Sequence, residues 1–257
     1  MLTIAGSDSC GGAGIQGDIK TFEAFHVYSL TVLTSVTAQN TTGVEAVFDL
    51  PASIVRKQLR SVMSDIRVDA VKIGMLSNET IIKTVASELR KGRVGNIVLD
   101  PVMRAKSGDP LLAASAKDSL LEHLIPLASL VTPNIPEAEE LVSIKIESER
   151  DMKRAAEALI RRGAAAALVK GGHLASAEAV DILFDGDAFH EFRAERIDVA
   201  EGIHGTGCAL ASAIAAGLAR GQTLYQSVEN AKTYLTEAIK RRYYIGRGCP
   251  VLSHHWA

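Results

Sequence analysis

The sequence predicts an α/β fold, a three-layer α/β/α sandwich around a central, mostly parallel sheet. Three observations predict it. Apolar, β-rich runs alternate with helix-spaced apolar patterns along the chain, and such alternation marks a parallel sheet covered on both faces. The 257 residues are 47% hydrophobic, which supports a large core and argues against disorder. Most of the apolar runs stop at a glycine or a polar residue, and ligands of such sheets sit beyond the carboxyl ends of the strands. No linker, repeat or low-complexity segment divides residues 1–257, which read as one domain.

Residues 2–6 read as a short buried strand, and 13–26 carry Ile15, Ile19, Phe22 and Phe25 at helical spacing. Residues 29–38 are β-branched and read as a second strand. Pro51 opens a helix with the stripe Ile54, Val55, Leu59, Val62, Met63 and Ile66. A strand over 69–74 precedes a helix over 79–91. The strand at 96–100 ends at Pro101, and a loop to Pro110 leads into a helix over 113–124. The strand at 129–132 is again closed by a proline, and helices follow near 137–142 and 150–162. The strand at 165–170 closes on Gly171-Gly172. Residues 179–184 and 188–192 flank Asp185-Gly186-Asp187 and read as a hairpin. Helices over 205–220 and 224–243 end the pattern.

Composition excludes several function classes. Lys+Arg 28 against Asp+Glu 30 gives a net charge of -2, with no basic surface for nucleic acid. No apolar run approaches the ~20 residues of a membrane span. The start Met1-Leu2-Thr3-Ile4-Ala5-Gly6 lacks the basic region of a secretory signal. Cys10, Cys208 and Cys249 are too scattered for a disulfide framework, and there is no C-x-x-C pair for zinc. A reduced, cytoplasmic protein is expected, with a small-molecule partner and neither nucleic acid nor membrane.

Gly12-Ala13-Gly14-Ile15-Gln16-Gly17 fits the dinucleotide pattern G-x-G-x-x-G. Its context is poor: the strand ends about five residues early, no acid is placed for a ribose, and Asp18 would repel a pyrophosphate. Close helix packing through small residues is one reading. The other is that Gly6 admits a ligand to the backbone while Asp18 points a carboxylate at a polar, non-phosphate group. A P-loop, G-x-S-x-G and H-E-x-x-H are absent.

His204-Gly205-Thr206-Gly207-Cys208 is the strongest local feature. Two glycines open a helix of small residues, whose first free N–H groups make an anion hole. Cys208 falls in the first turn, where a thiolate is favoured; an ordinary buried cysteine is the plainer alternative. Asn134-Ile135-Pro136-Glu137 reads either as a capping box or, with Asp100, as a carboxylate pair for hydrated Mg²⁺. Lys170-Gly171-Gly172-His173 ends a strand with a cation and flexible backbone, suited to phosphate.

These stretches resemble, in order and over nearly the whole chain, the hydroxymethylpyrimidine and phosphomethylpyrimidine kinase branch of the ribokinase-like superfamily. The matching segments include 5–8, 11–20, 37–41, 72–76, 100–103, 107–109, 132–138, 170–173 and 204–208. The resemblance implies a ribokinase-like fold and ATP-dependent phosphorylation of 4-amino-5-hydroxymethyl-2-methylpyrimidine, then of its monophosphate, in thiamin biosynthesis. It implies that Gln39 hydrogen-bonds the aminopyrimidine while Asp18, Gly6, Met75 and Val102 shape its pocket. It places Mg²⁺ on Asp100 and Glu137, and the nucleotide near Thr132, Asn134, Lys170, Thr206, Gly207 and Lys232. Cys208 takes the catalytic base position beside Gly205, Thr206 and Gly207. Glu201-Gly202-Ile203 stands where the family has Asn-Thr before the histidine. Family members are often dimers, so a homodimer stays open, although no segment announces an interface. A lid is expected near 103–109. The alternative activity is a pyridoxal kinase of the same superfamily. Gln39 favours the aminopyrimidine, because an amide both donates to a ring nitrogen and accepts from an amino group. A nucleotide sensor without turnover is the reading from another class.

Overall fold

The computed structural model describes residues 1–103, 113, 115–172, 174, 178–197 and 199–255. The first half of the chain runs β1 (Leu2–Asp8), α1 (Gly14–Ala24), β2 (Leu30–Asn40), β3 (Gly43–Asp49), α2 (Ala52–Asp65), β4 (Val71–Ile73), α3 (Glu79–Gly92) and β5 (Ile97–Leu99). The second half runs α4 (Ala116–His123), β6 (Leu130–Val131), α5 (Ile135–Val142), α6 (Glu149–Arg161), β7 (Ala167–Lys170), β8 (Glu178–Phe184), β9 (Phe189–Glu195), α7 (Thr206–Ala219) and α8 (Leu224–Lys240).

The strands form one nine-stranded sheet in the order β3-β2-β1-β4-β5-β6-β7-β8-β9. Pairing is parallel from β2 through β7 and antiparallel at β3, β8 and β9. Helices α2 to α6 bury one face through Val55, Leu59, Ile82, Leu120, Leu141 and Met152. Helices α1, α7 and α8 bury the other through Phe22, Leu210, Ile214 and Val228. The predicted three-layer α/β/α sandwich is therefore the observed one. Because the core strands are parallel, their carboxyl ends share one edge. The chain turns left to β2 and right to β4 on either side of β1, and a crevice opens at that switch point.

One strand was not predicted. Residues 43–49 form β3, which among the described residues is an edge strand paired with β2, and pairing with it extends β2 to Asn40. Its side chains are largely exposed, Phe48 at 66%, so no buried alternation marks it in the sequence. Most of the expected lid, residues 104–109, lies outside the described residues, as do His173 and Trp256.

Candidate active site

A cavity of about 630 Å³ lies over the carboxyl ends of the strands. At its floor, α7 begins on Gly205, whose φ of +86° is left-handed and whose helix no side chain caps. The first N–H groups of the helix have no intrahelical acceptor, so they and the helix dipole face the cavity. Glycine is required here twice over. An L-residue disfavours this backbone, and a Cβ on Gly205 would stand 1.8 Å from the Gly12 carbonyl oxygen. Gly14 is similar: its φ is +55°, and a Cβ there would meet the Gly6 carbonyl at 2.4 Å. The G-x-G-x-x-G segment thus serves close packing of the β1–α1 loop against α7.

Beside the helix mouth, Lys170 Nζ donates to Asp100 Oδ1 at 2.8 Å. A Cβ on Gly207 would lie 3.4 Å from Lys170 Nζ and 3.6 Å from Asp100 Oδ2, so both charges sit against the anion hole. Asn134 and Glu137 form the reciprocal capping box of α5, at 2.9 Å and 2.8 Å. Glu137 also lines the cavity. Burial, reinforced by Asp100 and opposed by Lys170, pushes its carboxyl up to about 7. Burial alone would depress Lys170, but Asp100 and Glu137 outweigh it and hold the ammonium charged.

The other end of the cavity is lined by Gly6, Met75, Val102 and Gln39. A Cβ on Gly6 would stand 2.8 Å from Ser35 Oγ and 3.3 Å from Met75 Sδ. Gln39 is the penultimate residue of β2, and its backbone is latched to Ser9 by bonds of 2.6 Å and 2.8 Å. Between the two ends sits Asp8. It accepts from the N–H groups of Cys10, Gly12 and Ala13 at 2.8, 3.0 and 2.8 Å, and from His204 Nε2 at 2.7 Å. Burial works against the Asp8 charge, but His204 and these amides win and hold the carboxyl below its usual range.

A family model described as phosphomethylpyrimidine kinase matches residues 8–252. The chain belongs to the phosphomethylpyrimidine kinase family. A hydroxymethylpyrimidine/phosphomethylpyrimidine kinase of Rhizobium meliloti is 51% identical over 257 residues, covering 98% of this chain and 96% of that protein. A crystal structure of phosphomethylpyrimidine kinase from Clostridium difficile aligns with a TM-score of 0.83 and 48% identity, over 93% of this chain and 98% of that one. Bacillus subtilis pyridoxal kinase, in an ADP complex, aligns with a TM-score of 0.90 and 36% identity, over 98% and 96%.

Four of the site residues expected from the sequence differ in place or state. Asp18 does not reach the cavity. It is fully buried and takes Lys72 Nζ at 2.8 and 3.0 Å, Ser212 Oγ at 2.7 Å and Thr3 Oγ1 at 2.5 Å. With those partners it has no need of a ligand, because buried charges find a counter-charge. Thr132 is buried beneath the cavity, its hydroxyl 3.4 Å from Leu99 O and 3.3 Å from Asp100 Oδ1 with one proton for the two, so it packs under Asp100 instead of meeting a ligand. Lys232 reaches the cavity wall, but Asp181 Oδ2 holds it at 2.6 Å and the Ala179 carbonyl at 3.0 Å. Cys208 opens partly onto the cavity, yet burial pushes its thiol up to about 11 against the pull of Lys72. Burial of the sulfur dominates, and the thiolate expected from the first-turn position is the minor form.

The structure also gives roles to residues to which motif reading assigned none. Asp8, Lys72 and Asp181 each hold a site element through a buried ion pair or charge-assisted bond. Asp181 Oδ1 accepts Gly171 N–H at 3.0 Å while Oδ2 takes Lys232. A lysine within the β-branched run 71–73 was a visible signal, since a charge inside a central strand needs a buried partner.

Proposed function

We propose that this kinase transfers the γ-phosphoryl group of ATP to the hydroxymethyl oxygen of 4-amino-5-hydroxymethyl-2-methylpyrimidine, and then phosphorylates the monophosphate to the diphosphate. That places it in thiamin biosynthesis, with residues 1–257 acting as one cytoplasmic kinase domain. One observation carries the reading most directly: the uncapped mouth of α7 shares a cavity with the Asp100–Lys170–Glu137 cluster and with Gln39.

Phosphoryl transfer asks a protein for alignment and charge stabilisation more than covalent chemistry. The Gly205–Cys208 amides face the oxygens of the transferring group, each donor contributing about 3 kcal/mol. Lys170 and the Asn134 end of α5 hold the nucleotide phosphates. The substrate oxygen attacks phosphorus in line, the bond to the ADP oxygen breaks, and the hydroxyl proton passes to the Cys208 sulfur in its thiolate form. Gln39 holds the aminopyrimidine edge, and Gly6, Met75 and Val102 pack its ring. A neutral thiol also suits an acceptor that arrives already phosphorylated, which a carboxylate would repel.

Magnesium fits Asp100 and Glu137. Two buried carboxylates lie beside the single ammonium of Lys170, and Asp100 adds to the burial that raises the Glu137 carboxyl, so a further cation would relieve both. When bound, the ion supplies positive charge to phosphate oxygens.

A second reading, pyridoxal kinase, is favoured by the fold shared with the Bacillus subtilis enzyme. ADP release measured with the hydroxymethylpyrimidine, its monophosphate and pyridoxal separates the two. Turnover of both pyrimidines at least tenfold above pyridoxal is expected. Turnover of pyridoxal alone would overturn the reading, and ATP binding with no turnover of any substrate would identify a sensor.

A further inference from the structure

The hydrogen-bond pattern around Gln39 carries one step more, which rests on the reading of Gln39 as the pyrimidine-binding residue. His204 Nε2 lies 2.7 Å from Asp8 Oδ2. An ionised carboxylate only accepts, so Nε2 of His204 carries the proton. The same Nε2 lies 3.5 Å from the Gln39 side-chain amide, on its Nε2 edge. That edge and the imidazole N–H are both donors, so the pair makes no bond. On the opposite edge, Gln39 Oε1 lies 3.2 Å from Thr37 Oγ1. The Thr37 hydroxyl has one proton, and the Ser7 carbonyl stands closer, at 3.0 Å. Thr37 Oγ1 therefore offers Gln39 a lone pair, and an amide oxygen facing it also makes no bond. A half-turn of the amide lets its nitrogen donate to the Thr37 lone pair and puts its oxygen, in place of a second donor, against His204, whose single Nε2 proton stays with Asp8.

We propose that Asp8, through His204, together with Thr37, fixes the Gln39 amide with its oxygen toward His204 and its nitrogen toward Thr37. Asp8, His204 and Thr37 are then specificity-determining positioning residues. The order of donor and acceptor that Gln39 shows to the cavity is set by the protein before substrate arrives. A ring presenting an amino group on the His204 side and an unprotonated ring nitrogen on the Thr37 side is matched. The oxo analogue is refused, because it carries a carbonyl in place of the amino group and a proton on the adjacent ring nitrogen. It shows the reverse order, and two mismatched polar contacts in a closed site are costly. The anchor is stiff. Three loop amides hold Asp8, the His204 backbone N–H is held by Pro250 O at 3.0 Å, and a Cβ on Gly12 would strike His204 Cδ2 at 2.5 Å.

The test compares kcat/KM for the amino and oxo pyrimidines in the wild type, Thr37→Val, His204→Phe and His204→Gln. Each of the first two variants removes one orienting partner and lowers the amino-over-oxo ratio by about tenfold, with the change in KM of the pyrimidine and not in KM of ATP. His204→Gln keeps an N–H near the Nε2 position and restores the ratio. Nitrogen-15 NMR of the free protein reads the His204 tautomer separately, and Nε2–H is expected. The proposal is overturned by a neutral Nδ1–H ring. It is equally overturned if folded Thr37→Val or His204→Phe keeps the ratio while both substrates slow together, which is a structural effect only. Gln39→Leu distinguishes the failures: if it leaves pyrimidine KM unchanged, the reading of Gln39 itself falls, whatever the tautomer.

Discussion

A methyl group on Gly205 would stand 1.8 Å from the carbonyl oxygen of Gly12, a separation no pair of atoms tolerates. The loop after β1 and the mouth of α7 are thus pressed together through two glycines. Gly205→Ala must either move the loop or unwind the first turn, and either change turns the amides away from the cavity. Loss of one pre-aimed donor typically costs 10²–10³ in rate, so kcat should fall by about 10²-fold or more. Thermal stability should fall too, by about 1–2 kcal/mol for the left-handed backbone alone. Steady-state kinetics beside a melting curve checks both. A folded Gly205→Ala enzyme with unchanged kcat would remove the anion hole from the mechanism.

Burial places the Cys208 thiol at about 11, so roughly one molecule in 10⁴ carries a thiolate at pH 7 in the resting site. The sign follows directly. If the thiolate takes the hydroxyl proton, kcat rises with pH through 7 to 9, and Cys208→Ser is slower and loses that rise. Alkylation of Cys208 by iodoacetamide, in a Cys10→Ser/Cys249→Ser background, should be slow at pH 7 and accelerate above pH 9. Fast alkylation at pH 7 or a flat rate profile would mean that proton removal does not pass through this sulfur.

The alternation of strand and helix was legible because each parallel strand is apolar on both faces and each helix carries one stripe. β3 was not, because an exposed edge strand has no buried face to pattern. Site residues at strand ends, such as Asp100, Lys170 and Gln39, were legible as polar breaks after apolar runs. Asp18 misled for a physical reason. An acid after a glycine-rich turn looks free to meet a ligand, and only the fold reveals that Lys72, 54 positions away, turns inward to meet it. Asp8 was legible as a strand-end acid but not its role, because one of its four partners is a histidine brought in from position 204, which no local spacing displays.

His254 predicts an acid limit to stability. Tyr234 Oη lies 2.8 Å from its Nδ1, and burial, aided by Lys20 and His255, lowers its pKa to about 4. Between pH 6.5 and 4 the unfolded chain binds more protons at this site than the folded one. Stability contributed by the neutral ring is thus complete above pH 6.5 and lost as pH falls. The loss between pH 7 and pH 5 should be about 2 kcal/mol. Urea midpoints at the two pH values check it, and His254→Gln should flatten the difference. Equal slopes in wild type and variant would assign the acid sensitivity elsewhere.

Lys72 and Asp18 separate stability from catalysis. Both side chains are fully buried, in a pair lying between β4, α1 and α7. Burial alone would depress the lysine, but Asp18 outweighs it and keeps the ammonium charged. Removing one partner strands the other charge, so Lys72→Met should cost roughly 3–5 kcal/mol. The neutral pair Lys72→Met/Asp18→Asn should recover most of that, because desolvation of two ions nearly cancels their attraction. Ser212 and Cys208 lie one turn apart on α7, so the double variant removes both Lys72, which opposes the upward push on the Cys208 thiol, and Asp18, which adds to that push more weakly, leaving a small net rise. A double variant that is stable but modestly slower at pH 7, with unchanged KM for ATP, is the expected outcome of chemical denaturation and kinetics together. If stability recovers and kcat recovers with it, the buried lysine serves only the fold.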